Sequence, residues 1–379
     1  MRSPLLALYA LVIVNSGCGQ AQTVMGRPDA FVAPDAADTP DAADTPDAAD
    51  TPDAAGTPDA SEAPDVGRDG GPVLVAVGGS IVGLPAGASL TLSNGVETLD
   101  VDGASGTVDF AFEVPVGSRY DIAIDRAPST LLCEIHRGAG TADADVTHVF
   151  VGCSTSVGLY ARFPFDGDVH AAQGADWATL AGTFTYTTDR LGRAAHALDA
   201  TPGNVDCRLP HALDGRSTVN APQATQMTVT LWARVPAAVT TTATENLFAH
   251  LGPASQSAAV QMSFRGSPVS PYFDFYFYWD GGFTNAVTES TTPLPRDSWH
   301  HVAVAAAGPA GGPTEPQFVR SIYVDGVRQG ETITCCGWDA STTYWQLGAT
   351  VVQRDDLRFY DRMLSAAEIA GIYAAENVP

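Results

Sequence analysis

Few residues in this chain have both the type and the spacing to do chemistry. Hydrolysis of a glycosidic bond needs two carboxyl groups flanking one bond. From Val157 onward the glutamates are Glu245, Glu289, Glu315, Glu331, Glu368 and Glu376, all far apart. No Gly-x-Ser-x-Gly elbow offers a nucleophile, and no Cys-x-x-Cys offers a zinc or thiol-exchange pair. The chain contains no lysine: all 19 basic residues are arginine. That excludes a phosphate-loop lysine, a Schiff-base lysine and a Ser–Lys dyad, and codon usage in a GC-rich genome accounts for it. His300-His301 follows Trp299 in an alternating run, which turns the two imidazoles to opposite faces. Neither is expected to bind zinc or to catalyse, and the chain does not read as an enzyme.

Binding has a better candidate. Tyr272-Phe-Asp-Phe-Tyr-Phe-Tyr-Trp279 is the densest aromatic run. At period two, Phe273, Phe275, Phe277 and Trp279 share an apolar face that belongs in a core. Tyr272, Asp274, Tyr276 and Tyr278 share the other. Rings with polar tips suit a sugar or a protein surface, and they equally suit packing beneath loops.

These residues must be held by strands. The net charge is −24, which repels phosphate backbones and argues against nucleic acid as a partner. Arg2 and the apolar run Pro4 to Val14 read as an export signal, too short to cross a bilayer. The following Val14-Asn-Ser-Gly-Cys18 resembles a bacterial lipoprotein box, except that Asn15 stands where an apolar residue is usual. The resemblance implies acylation of Cys18 and anchoring in a lipid bilayer outside the cytoplasm, at the outer membrane or cell surface. Ordinary secretion with cleavage after Ala21 is the alternative. From Gly19 to Pro72 the repeat Asp-Ala-Ala-Asp-Thr-Pro, with twelve acids and two arginines, predicts a disordered spacer. Proline blocks regular structure there, and nothing can bury a core.

Beyond the spacer the expectation is all-β. Residues 73–155 carry strand candidates at Val73–Val77, Ser89–Leu92, Val108–Phe112, Tyr120–Ile124, Leu131–Ile135 and Val146–Val151. Asn94-Gly95 and Asp102-Gly103 are hairpin-turn pairs. This predicts a small immunoglobulin-like sandwich, and Gly83-Leu84, Leu90-Thr-Leu-Ser-Asn-Gly95 and Cys133…Cys153 resemble a repeat of bacterial surface proteins. A Cys133–Cys153 disulfide would staple it. Residues 156–379 alternate again, through Leu159-Tyr-Ala-Arg-Phe-Pro-Phe-Asp166, Ala195-His-Ala-Leu-Asp199, Met227–Arg234, Trp299–Val304 and Ile322-Tyr-Val-Asp-Gly326. They close on Asp355-Asp-Leu-Arg-Phe-Tyr360, and Ser365 with Glu368 forms a capping box.

That ordered series resembles a LamG-like (concanavalin A-like) jelly-roll domain, which implies a second sandwich and a role in binding glycan or surface protein. Related hydrolases carry a Glu-x-Asp-x-x-Glu run, absent here. The resemblance also implies a structural calcium joining the first and last strands, at Asp166, Asp355 and Asp356, with Asp168 nearby. The usual further Asp-x-x-Gly is replaced by Ala171-Ala-Gln-Gly174. Cys207, Cys335 and Cys336 leave two pairings open: a bridge from Cys207 to one of the others, or a vicinal 335–336 disulfide.

Overall fold

Period-two alternation shapes the strands of the first domain. In the strand Val108–Pro115, Phe110, Phe112 and Val114 turn inward while Asp109, Ala111 and Glu113 face water. The structure, a computed structural model, describes residues 71–174, 176, 179–181, 184–199, 206–210, 224–238, 245–251, 258–266, 271–277, 286–309, 318–334, 344–347 and 352–378. The export signal, Cys18 and the spacer lie outside the described residues, as do Cys335 and Cys336.

The first domain has eight described strands: β1 (Leu74–Val82), β2 (Ser89–Asn94), β3 (Glu97–Asp102), β4 (Val108–Pro115), β5 (Ser118–Arg126), β6 (Leu131–His136), β7 (Ala139–Ala142) and β8 (Val146–Thr155). One sheet runs β4-β1-β8-β6 and the other β3-β2-β5-β7. Their inner faces meet on Val77, Ile81, Leu90, Leu92, Phe112 and Val149. β1 and β8 pair in parallel, so the domain begins and ends side by side. Asn94-Gly95 does turn a hairpin, with Gly95 at φ 68°. Asp102-Gly103 does not: β4 crosses to the opposite sheet and pairs with β1. Cys133 and Cys153 are direct neighbours on β6 and β8 and form a disulfide.

The second domain continues with β9 (Leu159–Phe163), β10 (Gln173–Gly174), β11 (Thr179–Ala181), β12 (Thr185–Thr187), β13 (Ala197–Asp199), β14 (Asp206–Pro210), β15 (Ala224–Arg234) and β16 (Glu245–Leu251). Then come β17 (Ala258–Gly266), β18 (Pro271–Phe277), β19 (Ala286–Glu289), β20 (His300–Pro309), β21 (Phe318–Val324), β22 (Val327–Thr334), β23 (Tyr344–Leu347), β24 (Gln353–Tyr360) and helix α1 (Ala366–Glu376). One sheet runs β10-β9-β24-β15-β20-β21-β22, with β13 also on β24. The other runs β11-β14-β23-β16-β17-β18-β19. Between them lies a core that includes Phe163, Phe165, Val229, Leu231, Phe273, Val304 and Phe359.

The capping box starts α1: the Glu368 amide donates to Ser365 Oγ, and Glu368 Oε2 accepts from the Ser365 amide at 2.8 Å. Ile369, Ile372 and Leu364 then seat the helix on Ala303, Ala305, Tyr323 and Tyr360, on the outer face of the larger sheet. The first domain joins this layer. Gly152 on β8 lies so near the Ala375 carbonyl that a Cβ there would overlap it, and Tyr360 Oη donates to the Thr155 carbonyl at 3.1 Å.

Candidate binding cleft at the joint between the domains

Strand β24 sets the chemistry of this joint. It lies between β9 and β15 and is buried along its whole length. Leu357 and Phe359 enter the main core, whereas Asp355, Asp356 and Arg358 bring charge out of water. An unpaired buried charge costs several kcal/mol, so each has partners. Arg162 on β9 forks onto Asp356 at 2.6 and 3.2 Å. Arg358 holds the same carboxylate at 2.7 Å and donates to Ser154 Oγ at 2.8 Å. It also pairs with Glu376 at the end of α1. Arg190 pairs with Asp355 and lies 5.1 Å over the Trp232 ring. Trp232 Nε1 donates to Glu376 Oε2 at 2.6 Å. Across the joint, Arg162 Nη1 meets Glu134 of β6 at 2.7 Å.

A bulge brings the two aspartates together. Successive residues of a regular strand face opposite ways. Here Arg358 pairs with Thr230 and Asp355 with Trp232, so β24 carries one residue more than β15. Asp356 takes the left-handed backbone region, φ 46°, as a bulged residue can. Asp355 and Asp356 consequently line one cleft of ≈100 Å³. Its other walls are Glu134, Ile135 and His136 of β6, Arg162 and Pro164, Asp166, and Arg190 and Arg193. Arg162, Arg190 and the two β24 aspartates form a buried floor. Arg193 and Asp166 form a half-exposed rim, 3.4 Å apart.

Electrostatics divide the acids. Burial would raise the Asp356 carboxyl, but Arg162 and Arg358 hold it well below the usual range. At Asp355 burial outweighs Arg190, and the carboxyl is pushed up to about 7. Burial likewise pushes Glu376 up to about 7 against Arg358. His136 is lowered, chiefly by burial.

Asp166, Asp355 and Asp356 share the cleft, as the sequence resemblance implied, but Asp168 does not. Its Oδ1 accepts from the His170 amide at 2.9 Å and closes its own turn. The donor set does not fit calcium, which takes six to eight oxygens. Asp355 and Asp356 are already held by guanidinium groups, and Asp166 accepts from His196 Nδ1 at 2.6 Å. Among the described residues no three His, Cys, Asp or Glu side chains gather as a metal site.

His301 is wholly buried between Trp232 and Tyr373, and burial pushes its imidazole down to about 3. His300 Nδ1 lies 2.9 Å from Asp325 Oδ2, so the pair braces the Asp325-Gly326 turn. On β18 Phe273 enters the core, Tyr272 is half-buried, and Asp274 is fully buried and accepts from the Ser263 hydroxyl. A wholly buried Asp274 cannot meet a ligand from solvent. The Tyr276 side chain and all of Tyr278 lie outside the described residues. Cys207 sits on β14, opposite Leu180. Sequence reasoning missed Arg162, Arg190, Arg193, Glu134 and His136. The one available signal was Arg162 and Arg358, charges placed inside otherwise apolar strands.

Residues 213–370 match the family model described as the concanavalin A-like lectin/glucanases superfamily. The second domain is a LamG-like jelly roll. Among solved structures, the chain is similar to the receptor binding domain of botulinum neurotoxin C/D mosaic serotype, with 9% identity and a TM-score of 0.43 over 58% of this chain and 51% of that one. It is similar to domain 4 of AbnA, a GH43 extracellular arabinanase from Geobacillus stearothermophilus in complex with arabinotriose, with 17% identity and a TM-score of 0.37 over 57% and 98%. It is also similar to the binding domain of Paraclostridial Mosquitocidal Protein 1, with 10% identity and a TM-score of 0.40 over 57% and 52%. The chain spans about half the length of the first and third of these. The assignment of the LamG-like domain rests on the family match and the strand order, and these distant likenesses add nothing to it. No curated protein sequence matches the chain.

Proposed function

We propose that this is a non-catalytic binding protein of the bacterial envelope, anchored through acylated Cys18, which displays its LamG-like domain on an acidic spacer to capture glycan. The observation that carries the reading is the state of the acids in the cleft of a lectin-type domain. Glu134 is held by Arg162, Asp355 by Arg190, Asp356 by Arg162 and Arg358, and Asp166 by Arg193 and His196. Committed carboxylates make poor acid–base catalysts, yet they fix a set of donors and acceptors. The rim pair Arg193 and Asp166 offers both to a sugar hydroxyl, at a joint between domains where ligand sites are common. The export signal supports a place outside the cytoplasm. Among the described residues no helix is long and apolar enough to cross a membrane, and on this reading Cys18 provides the membrane attachment.

A glycan array probed with the full chain tests this. Arg193→Ala and Asp166→Asn should each weaken a positive signal at least about tenfold, the scale of one lost polar contact to ligand. An array with no signal, or a signal indifferent to both variants, overturns the assignment.

One observation favours a second reading. A carboxyl raised to about 7 in a cleft, Asp355, is what a general acid needs. Glycan cleavage by wild type that Asp355→Asn abolishes would establish the enzyme. An inactive wild type leaves Asp355 as part of the joint.

A further inference from the structure

We propose that Arg162, Arg190 and Arg358 take the place of a bivalent cation among the strand-end carboxylates and make the spot a metal-independent clamp between the two domains. A calcium ion in this position would join the first strand of the jelly roll to its last. The guanidiniums do that and reach further. A guanidinium is a flat fork with five N–H donors and a permanent charge. Arg162 spends Nε and Nη2 on Asp356 and turns Nη1 to Glu134 of the first domain. Arg358 spends Nε and Nη2 on the same carboxylate and turns Nη1 to Ser154, also of the first domain. Both therefore bond across the joint, along directions set by covalent geometry.

Packing agrees. Gly152 lets β8 press against the end of α1, and that helix end supplies Glu376 as the second acid for Arg358. The four acids Glu134, Asp355, Asp356 and Glu376 face three arginines, so the negative charge that would attract a cation is largely met from within. Separating the domains would strip Arg162 and Arg358 of partners, and buried arginines lose much when one partner goes. On this account the two domains melt together and stay together when calcium is chelated.

The test is calorimetry of the full chain in EDTA and in about 5 mM calcium, a concentration that would saturate an ordinary extracellular site, with Trp-sensitised terbium luminescence beside it. The expected result is one melting transition, the same in both buffers, and no saturable terbium emission. Glu134→Gln leaves the Arg162–Asp356 fork intact and removes only the bridge across the joint. It should separate or broaden the transition and lower its onset by about 2–4 °C, and it should expose the linker around residues 156–158 to protease. Arg162→Met should do the same more strongly, and Glu134→Gln decides the matter alone should that variant fail to fold. Two results would overturn the clamp. One is a calcium-dependent rise in Tm, or terbium binding that calcium displaces. The other is a Glu134→Gln protein that melts and resists protease as wild type does.

Discussion

Asp355 on β24 and Glu376 at the end of α1 have little water to ionise into, and their proton affinities report that. Asp355 and Glu376 have ordinary values of 3.8 and 4.5 and are pushed up to about 7 in the fold by burial. Both take up a proton on folding between those values, so each contributes stability below its ordinary value and loses it as pH rises toward 7. His301 runs the other way. Its ordinary value is 6.5 and burial pushes it down to about 3, so its contribution is lost as pH falls below 6.5. Between pH 4.5 and 6.5 the two raised carboxyls oppose two lowered imidazoles, His301 and His136, while His170, raised by its hydrogen bond to Asp176, adds to the carboxyl side, and that side wins. The protein should melt at higher temperature at pH 5 than at pH 8. In Glu376→Gln one carboxyl is lost from the stronger side, and the fall of Tm with pH should shrink. A Tm that instead climbs from pH 5 to pH 8 in wild type contradicts this assignment.

At the scale of elements, α1 and β8 carry the joint. The Ser365 cap supplies one acceptor to an amide at the helix start, so Ser365→Ala should cost about 1 kcal/mol by chemical denaturation. Gly152 has a different duty. Any side chain there meets the Ala375 carbonyl, backbone that cannot swing away. Gly152→Val should therefore destabilise the protein more than the cap mutation, and should expose the β8–α1 interface to hydrogen exchange while the main core stays protected. The Cys133–Cys153 disulfide closes a short loop between neighbouring strands. Replacing both cysteines by alanine should cost about 3 kcal/mol, the loop-closure scale for a separation of 20 residues.

At the scale of the molecule, the chain divides into two units, Met1–Val66 and Gly67–Pro379. If Cys18 anchors it, Cys18→Ala should move the protein from the detergent phase to the aqueous phase, and mass spectrometry should lose the acyl mass. Mass spectra of the wild-type protein beginning at residue 22 would instead identify ordinary secretion. The alternating strands, the Asn94-Gly95 turn and the capping box were legible because each is a local pattern with a local cause. The disulfide was expected from two cysteines in or just beyond neighbouring strand candidates, and the pairing of β6 with β8 brings them together. The β18 face was misjudged at Asp274, because alternation says which side a residue takes and not whether that side is covered.

Sequence alone determined the all-β class and the two sandwiches. Those follow from period, turn chemistry and composition, which act between neighbours in the chain. Tertiary structure alone decided what Asp355 and Asp356 do. One extra residue in β24 turned two consecutive acids toward one cleft. Arg162 and Arg190, some 160 to 190 residues away in sequence, arrived there by strand pairing and loop return. Whether a carboxylate holds a cation or a guanidinium depends on what stands within 3 Å of it, and no pattern along the chain encodes that distance.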